Sequence, residues 1–202
     1  MRKIPTIYKR DPENPRVVTH EYNPACSWIQ EGKSRATRKW DGTACMVKDG
    51  KLYKRYDCKK GRTPPPDAIP CDDPDPVTGH WPHWVPVGDG PEDRWHNEAL
   101  EWTLRDGPIA DGTYELLHQK FQGRDSAHIN PEGVEHPILV LHGAEPVEAV
   151  STNYDALKRF FELYSIEGIV WHNPDGRMAK IKARDFGIQR RPYRTEQELE
   201  KN

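Results

Sequence analysis

The stretch RATRKWDGTACMVKDGKLYKRY, residues 35–56, decides how the chain is read. Asp49-Gly50 is a dipeptide that tolerates the positive φ values of a tight turn, so the stretch predicts two strands folded about it. That reading sets Lys39, just ahead of Asp41-Gly42, at the start of a hairpin. Basic residues crowd the same region: Lys48, Lys51, Lys54, Arg55, Lys59, Lys60 and Arg62 stand against only Asp49 and Asp57. Such a run suits either a solvated hairpin face or a surface that meets phosphates.

Working outward, residues 61–91 are rich in Pro, Gly, Asp and Trp without clear periodicity, and predict a loop-like insertion too long for idle connection. Residues 93–105 have helical spacing, with Trp95, Leu100 and Trp102 as candidate buried positions, and Asp111-Gly112 introduces a short strand over 113–117. Residues 137–141 form an apolar strand. Ser151, Thr152 and Asn153 offer N-caps for a helix running to Tyr164, in which Leu157, Phe160, Phe161 and Tyr164 recur at three and four residues. Residues 167–172 and 177–182 read as paired strands about a turn at 173–176, and alternation sets Lys180 and Lys182 on one face of the second. The sum is an α+β domain built on antiparallel hairpins, one domain over residues 1–202 with the insertion at about 61–91.

Composition bounds the possibilities. Charged residues make up 31% of the 202 and hydrophobic ones only 35%, so the core is small and the surface extensive. Seven tryptophans argue against disorder, and a net charge of -2 excludes an indiscriminate basic nucleic-acid coat while allowing a local basic face. No apolar run has signal-peptide or transmembrane length, which predicts a cytoplasmic protein without a membrane partner. Four sparse cysteines, Cys26, Cys45, Cys58 and Cys71, do not make a disulfide framework. Cys58, Cys71, His80 and His83 are chemically suited to zinc but poorly spaced for it; the insertion suits packing of Trp81 and Trp84, or stacking on unpaired bases, better.

Four short runs carry chemistry, in chain order: Lys39-Trp40-Asp41-Gly42-Thr43; Tyr114-Glu115-Leu116; Glu167-Gly168-Ile169-Val170; and Lys180-Ile181-Lys182. A K-x-D-G alone is weak. The ordered set resembles motifs I, III, IV and V of the covalent nucleotidyltransferases, which include ATP-dependent DNA ligases, RNA ligases and mRNA capping enzymes. Ala36-Thr37, Cys45, Lys60-Gly61-Arg62, Gly79-His80-Trp81 and Arg184-Asp185-Phe186-Gly187 extend the likeness to the small stand-alone 5′-to-3′ RNA ligases. The resemblance implies an antiparallel-sheet adenylyltransferase (ATP-grasp-like) fold without an OB domain, since only about twenty residues follow Lys182.

It also implies roles. Lys39 would be the nucleophile that becomes adenylylated by ATP, Lys180 and Lys182 would contact the α-phosphate, and Glu167 would hold magnesium or manganese. Glu115 would accept a hydrogen bond from the ribose, Asp41 and Gly42 would shape the turn that presents Lys39, and Arg55 would reach the ribose or a 5′-phosphate, with Lys54 as its rival. The strand that should supply an adenine-stacking group, residues 138–143, lacks an aromatic, which leaves His142 as the candidate. The partners implied are RNA ends bearing a 5′-phosphate and a 3′-hydroxyl. A minimal DNA ligase, a capping-type guanylyltransferase, and a non-catalytic nucleic-acid-binding protein are the alternatives. The chemistry itself is demanding: to hold a lysine amine neutral near pH 7 costs roughly 4.6 kcal/mol against its ordinary titration, and nearby cations are the means.

Overall fold

Three strands, rather than two, come from residues 35–58 in the computed structural model, which describes residues 4–118, 121 and 134–190. Strand β3 (Arg35–Lys39) ends at the lysine, and a separate hairpin follows, β4 (Thr43–Lys48) and β5 (Lys51–Cys58). Asp49 and Gly50 at its tip both take positive φ, 51° and 71°, the twist a two-residue hairpin turn needs. Lys39 therefore closes one strand instead of opening the hairpin. Gly42 explains the break: a Cβ there would lie 2.0 Å from the carbonyl oxygen of Leu116, a contact only glycine permits, so the chain turns hard against that backbone before β4 begins.

The described chain divides into two compact units, one of residues 41–118, 121 and 134–142 and one of residues 4–40 and 143–190. The first is a six-stranded antiparallel sheet with a helix, α1 (Arg94–Arg105), packed on one face. Its order is β6-β7-β5-β4-β8-β9, with β6 (Ile69–Pro70), β7 (Trp81–Pro86), β8 (Gly112–Leu117) and β9 (Ile138–Leu141). Cys45, Val47, Leu52, Tyr114, Leu116 and Leu139 from the sheet close over Ala99 of the helix.

The insertion is not wholly a loop. Residues 81–86 pair with β5 from Cys58↔Trp81 to Tyr53↔Pro86, and the prolines that disguise this strand fall where β6, only two residues long, does not pair with it. In α1 the buried positions are His96 and Ala99, while Trp95, Leu100 and Trp102 are only partly buried. The tryptophans instead lie flat beneath arginines of their own helix, Arg94 over Trp95 at 4.1 Å and Arg105 over Trp102 at 3.7 Å.

The second unit pairs β1 (Tyr8–Arg10) with β2 (Val18–Tyr22), and holds an antiparallel sheet of order β11-β10-β3, with β10 (Gly168–His172) and β11 (Met178–Lys182). Ile169, Trp171, Ala179 and Ile181 alternate onto one face and bury against Ile7, Trp28, Leu157 and Phe161. The last two belong to α2 (Tyr154–Leu163), which is capped by the Asn153 side chain accepting from the Ala156 amide at 3.1 Å. Tyr164, expected on the buried stripe, is 56% exposed because the helix ends at Leu163 and the chain turns extended. The architecture is thus mixed α+β with antiparallel sheets, and no described helix is long and apolar enough to cross a membrane.

Leu157→Ala, which empties a site 1% exposed, should lower stability by about 2–5 kcal/mol, whereas Tyr164→Ala should change it by less than about 0.5 kcal/mol. Urea denaturation of the two variants checks this; equal losses would refute the assignment of the helix face.

Candidate active site

Antiparallel pairing brings the separate chemical runs of the second unit into one row. Gly168 stands opposite Lys39 on one side and Lys182 on the other, and Val170 stands opposite Thr37 and Lys180 in the same manner. Side chains at paired positions share a face, so Lys39, Lys180 and Lys182 project together. Gly168 is fixed by the fit: a Cβ on it would sit 2.3 Å from the Ile181 carbonyl oxygen.

Glu167, the residue before that glycine, lies between two of the lysines. Its Oε2 accepts from Lys39 Nζ at 2.5 Å and its Oε1 accepts from Lys182 Nζ at 2.5 Å, with the residue 8% exposed. Burial opposes ionisation of this carboxyl, but the charges of Lys39 and Lys182 outweigh it and hold Glu167 below the usual carboxylate range. Lys39 Nζ also donates to the Trp40 carbonyl at 3.1 Å, which fixes the direction of its ammonium.

Lys180 has no carboxylate partner among the described residues. Burial, followed by the charges of Lys182 and Lys39, lowers its pKa to about 8. Burial also lowers that of Lys182, with Glu167 working in the opposite direction. Among the described residues, three lysines gathered about the carboxylate of Glu167 make this face positive, so the group suits an anion. Arg38, on the same strand as Lys39, stacks over Trp40 at 3.7 Å and reaches Glu145 at 3.3 Å.

The first unit assembles a different set. Glu115 Oε1 accepts from the Gly42 amide at 3.0 Å, and its Oε2 lies 2.8 Å from His142 Nε2, while His142 Nδ1 lies 3.0 Å from Thr113 Oγ1. This is consistent with His142 donating from Nε2 and accepting from the threonine hydroxyl. His142 thus has both ring nitrogens engaged, and Glu115 tethers the turn after Asp41. A carboxylate has further lone pairs, so Glu115 can still accept from a ligand hydroxyl. Arg55 pairs with Asp57 at 3.0 Å on the sheet face that carries Tyr53 and Trp84. Its rival Lys54 points to the opposite face and is bound to buried Asp93.

The sequence motifs therefore separate into two groups, with Lys39, Glu167, Lys180 and Lys182 in one unit and Asp41, Arg55, Glu115 and His142 in the other. Among the described residues no group of three or more His, Cys, Asp or Glu stands together as a metal cage. Cys58 Sγ instead donates to the Arg62 carbonyl at 3.2 Å, and buried His83 turns its Nδ1 to the Trp81 carbonyl at 2.9 Å. Asp185, in the quoted run Arg184-Asp185-Phe186-Gly187 but given no role from the sequence, is a supporting residue: 1% exposed, it accepts from the Lys182 amide at 2.9 Å and from Arg10 at 2.7 Å, fixing the end of β11. Its signal in the sequence is the three-residue spacing from Lys182 to Asp185, which suits a carboxylate closing back on the start of a helical turn. No protein-family model matches the chain, and no curated protein matches it.

The depressed pKa of Lys180 has a consequence for stability. The folded protein holds this proton less tightly than the unfolded chain, so charged Lys180 is a cost to folding below about pH 8 that vanishes as pH rises toward 10.5. Lys180→Met should raise Tm by about 2–4 °C at pH 7 and by clearly less at pH 10. Thermal melts at both pH values measure the difference, and a gain independent of pH would contradict it.

Proposed function

We propose that this chain is an ATP-dependent RNA ligase of the covalent nucleotidyltransferase kind, with Lys39 as the residue that carries AMP. The observation that carries the reading is the row Lys39–Gly168–Lys182, with Glu167 bridging the two lysines and Lys180 beside them without a carboxylate partner among the described residues. The four runs that resemble the nucleotidyltransferase motifs are far apart in sequence, and folding brings the first, third and fourth to one sheet face. A set of surface lysines unrelated in function has no reason to be ordered around one buried carboxylate.

The chemistry follows from these contacts. The polyphosphate of ATP competes with Glu167 for Lys182 and gives Lys180 an anion. Once Lys182 turns to phosphate, Glu167 loses one of the two cations that keep it ionised and becomes a better acceptor for the proton of Lys39, its other partner. Lys39 Nζ then attacks the α-phosphorus; a P–N bond forms, the P–O bond to pyrophosphate breaks, and the pyrophosphate leaves as an anion. AMP passes next to the oxygen of a 5′-phosphate end, freeing Lys39, and attack by a 3′-hydroxyl releases AMP and leaves a phosphodiester.

Among the described residues no all-protein metal cage stands at the lysine row; Glu167, the carboxylate bound to Lys39 and Lys182, would hold a magnesium or manganese ion once it has passed the Lys39 proton to solvent, since a carboxyl that keeps the proton binds such an ion poorly. Such an ion would supply charge neutralisation at the phosphate oxygens. Glu115, already turned toward the Gly42 amide, keeps lone pairs for a ribose hydroxyl. RNA is preferred to DNA on the subfamily cues around Lys39 and after Lys182.

Incubation with magnesium and α-labelled ATP, followed by denaturation, tests the reading directly. The wild type should retain covalent label and Lys39→Ala none; intact mass identifies any protein already adenylylated. Glu167→Gln, which keeps the shape but not the charge, should slow labelling on the order of 100-fold or more. Absence of label with either ATP or GTP, in magnesium or manganese, would sink the ligase reading, and label from GTP alone would point to a capping-type guanylyltransferase.

A further inference from the structure

A cleft of about 660 Å³ in the second unit lies beyond the end of β11. It lies between the loop joining β1 to β2, which supplies Asn14 and Arg16, and the turn after Lys182, which supplies Arg184, Asp185 and Gly187, and Arg10 also lines it. Three guanidinium groups and one carboxylate line it. Asp185 cannot neutralise more than one of them: its Oδ1 is taken by Arg10 and its Oδ2 by the Lys182 amide.

Arg10 is held in place by that carboxylate, by the Arg16 carbonyl at 3.3 Å and by Thr6 Oγ1 at 3.3 Å. Arg16 and Arg184 are exposed and have no carboxylate partner among the described residues. The cleft walls are thus two charges positive although the chain as a whole is -2. Arginine forks that are not neutralised internally, on two different chain segments and around an open cleft, suit phosphate oxygens. The cleft begins two residues past Lys182, and the charge of Arg184 is felt at Lys182.

We infer that this cleft is a binding track for the phosphodiester backbone of a single-stranded polynucleotide, with Arg16 and Arg184 each engaging a phosphate and Arg10 tying the two segments through the Arg16 carbonyl and Asp185. The assignment deepens, and rests on, the ligase reading: the cleft lining begins two residues past Lys182, the last lysine of the row. A simple anion site would need one pocketed phosphate, whereas two arginines without internal counter-charge, on separate segments around an open cleft, match successive phosphates of a chain. The contacts read charge rather than base, so the track binds without sequence preference.

The test is binding of a short 5′-phosphorylated single-stranded RNA to the full chain, by fluorescence anisotropy across a salt series, for the wild type and for Arg16→Gln/Arg184→Gln. Both side chains are exposed, so the double variant should melt with the wild type, which is checked first. The expected result is an affinity loss of at least about tenfold and a salt slope shallower by about 1.4, from two single-strand phosphates at about 0.7 each.

Unchanged affinity and slope in the double variant, or no RNA binding by the wild type, would overturn the inference. So would binding of inorganic phosphate that depends on both arginines while RNA binding does not. Labelling of the wild type by ATP is measured alongside. Label together with unaltered RNA binding in the variant would remove the track and leave the ligase reading; arginine-dependent RNA binding without label would keep the track and remove the ligase.

Discussion

A buried carboxylate between two ammonium groups is the constraint on which the second unit depends. Glu167 is almost fully withdrawn from water and stays ionised because Lys39 and Lys182 each give it a hydrogen bond. Such an arrangement adds little net stability relative to a well-packed apolar one, yet removing one partner strands a charge in a poorly solvated place. Its value lies in specification. The contact exists only when β3, β10 and β11 sit in the register Lys39↔Gly168↔Lys182, and a slip by one residue would turn Ile169 and Ile181 out of the core at the same time as it broke the ion pairs. Core and charge select the same pairing.

Two glycines make that geometry possible by absence rather than by flexibility. Gly168 lets β11 approach β10 to a distance no Cβ would allow, and Gly42 lets the chain after Trp40 press on the Leu116 backbone. Each is coupled to a carboxylate, since Glu167 adjoins the first in the chain and Glu115 accepts from the amide of the second. Steric fit and charge placement therefore go together at both glycines. The same economy recurs at the close of β11, where Asp185 holds the Lys182 amide with one oxygen and Arg10 with the other. That use of both oxygens leaves Arg16 and Arg184 without a counter-charge from Asp185.

Much of the secondary structure is legible in the sequence because its period is short and its punctuation clear. Asp49-Gly50 marks the hairpin, Asn153 the start of α2, and alternation over 178–182 the shared face of Lys180 and Lys182. Expectation and structure part where local pattern and tertiary pairing disagree. Pro82 and Pro86 hide a strand, because a proline is tolerated wherever the neighbouring strand is too short to need its missing amide. Trp95 and Trp102 suit a core by size, yet arginines of the same helix cover them and the smaller Ala99 is buried instead. Lys39 is contiguous with the hairpin, and nothing in the local pattern shows that the chain changes sheets within three residues.

The sequence by itself determined which residues could do chemistry and in what order they come, because reactive groups and turn residues are fixed by their identity. It also determined the antiparallel, α+β character, since strand alternation and helix period are local properties of the chain. Only the tertiary structure decided that Lys39, Glu167, Lys180 and Lys182 meet on one face, that Glu115 and His142 form a separate pair, and that Lys54 belongs to buried Asp93. Those outcomes depend on pairing between segments far apart in the chain, and on which carboxylate each cation reaches first. Burial, which sets how strongly each charge is felt, is a property of the folded whole.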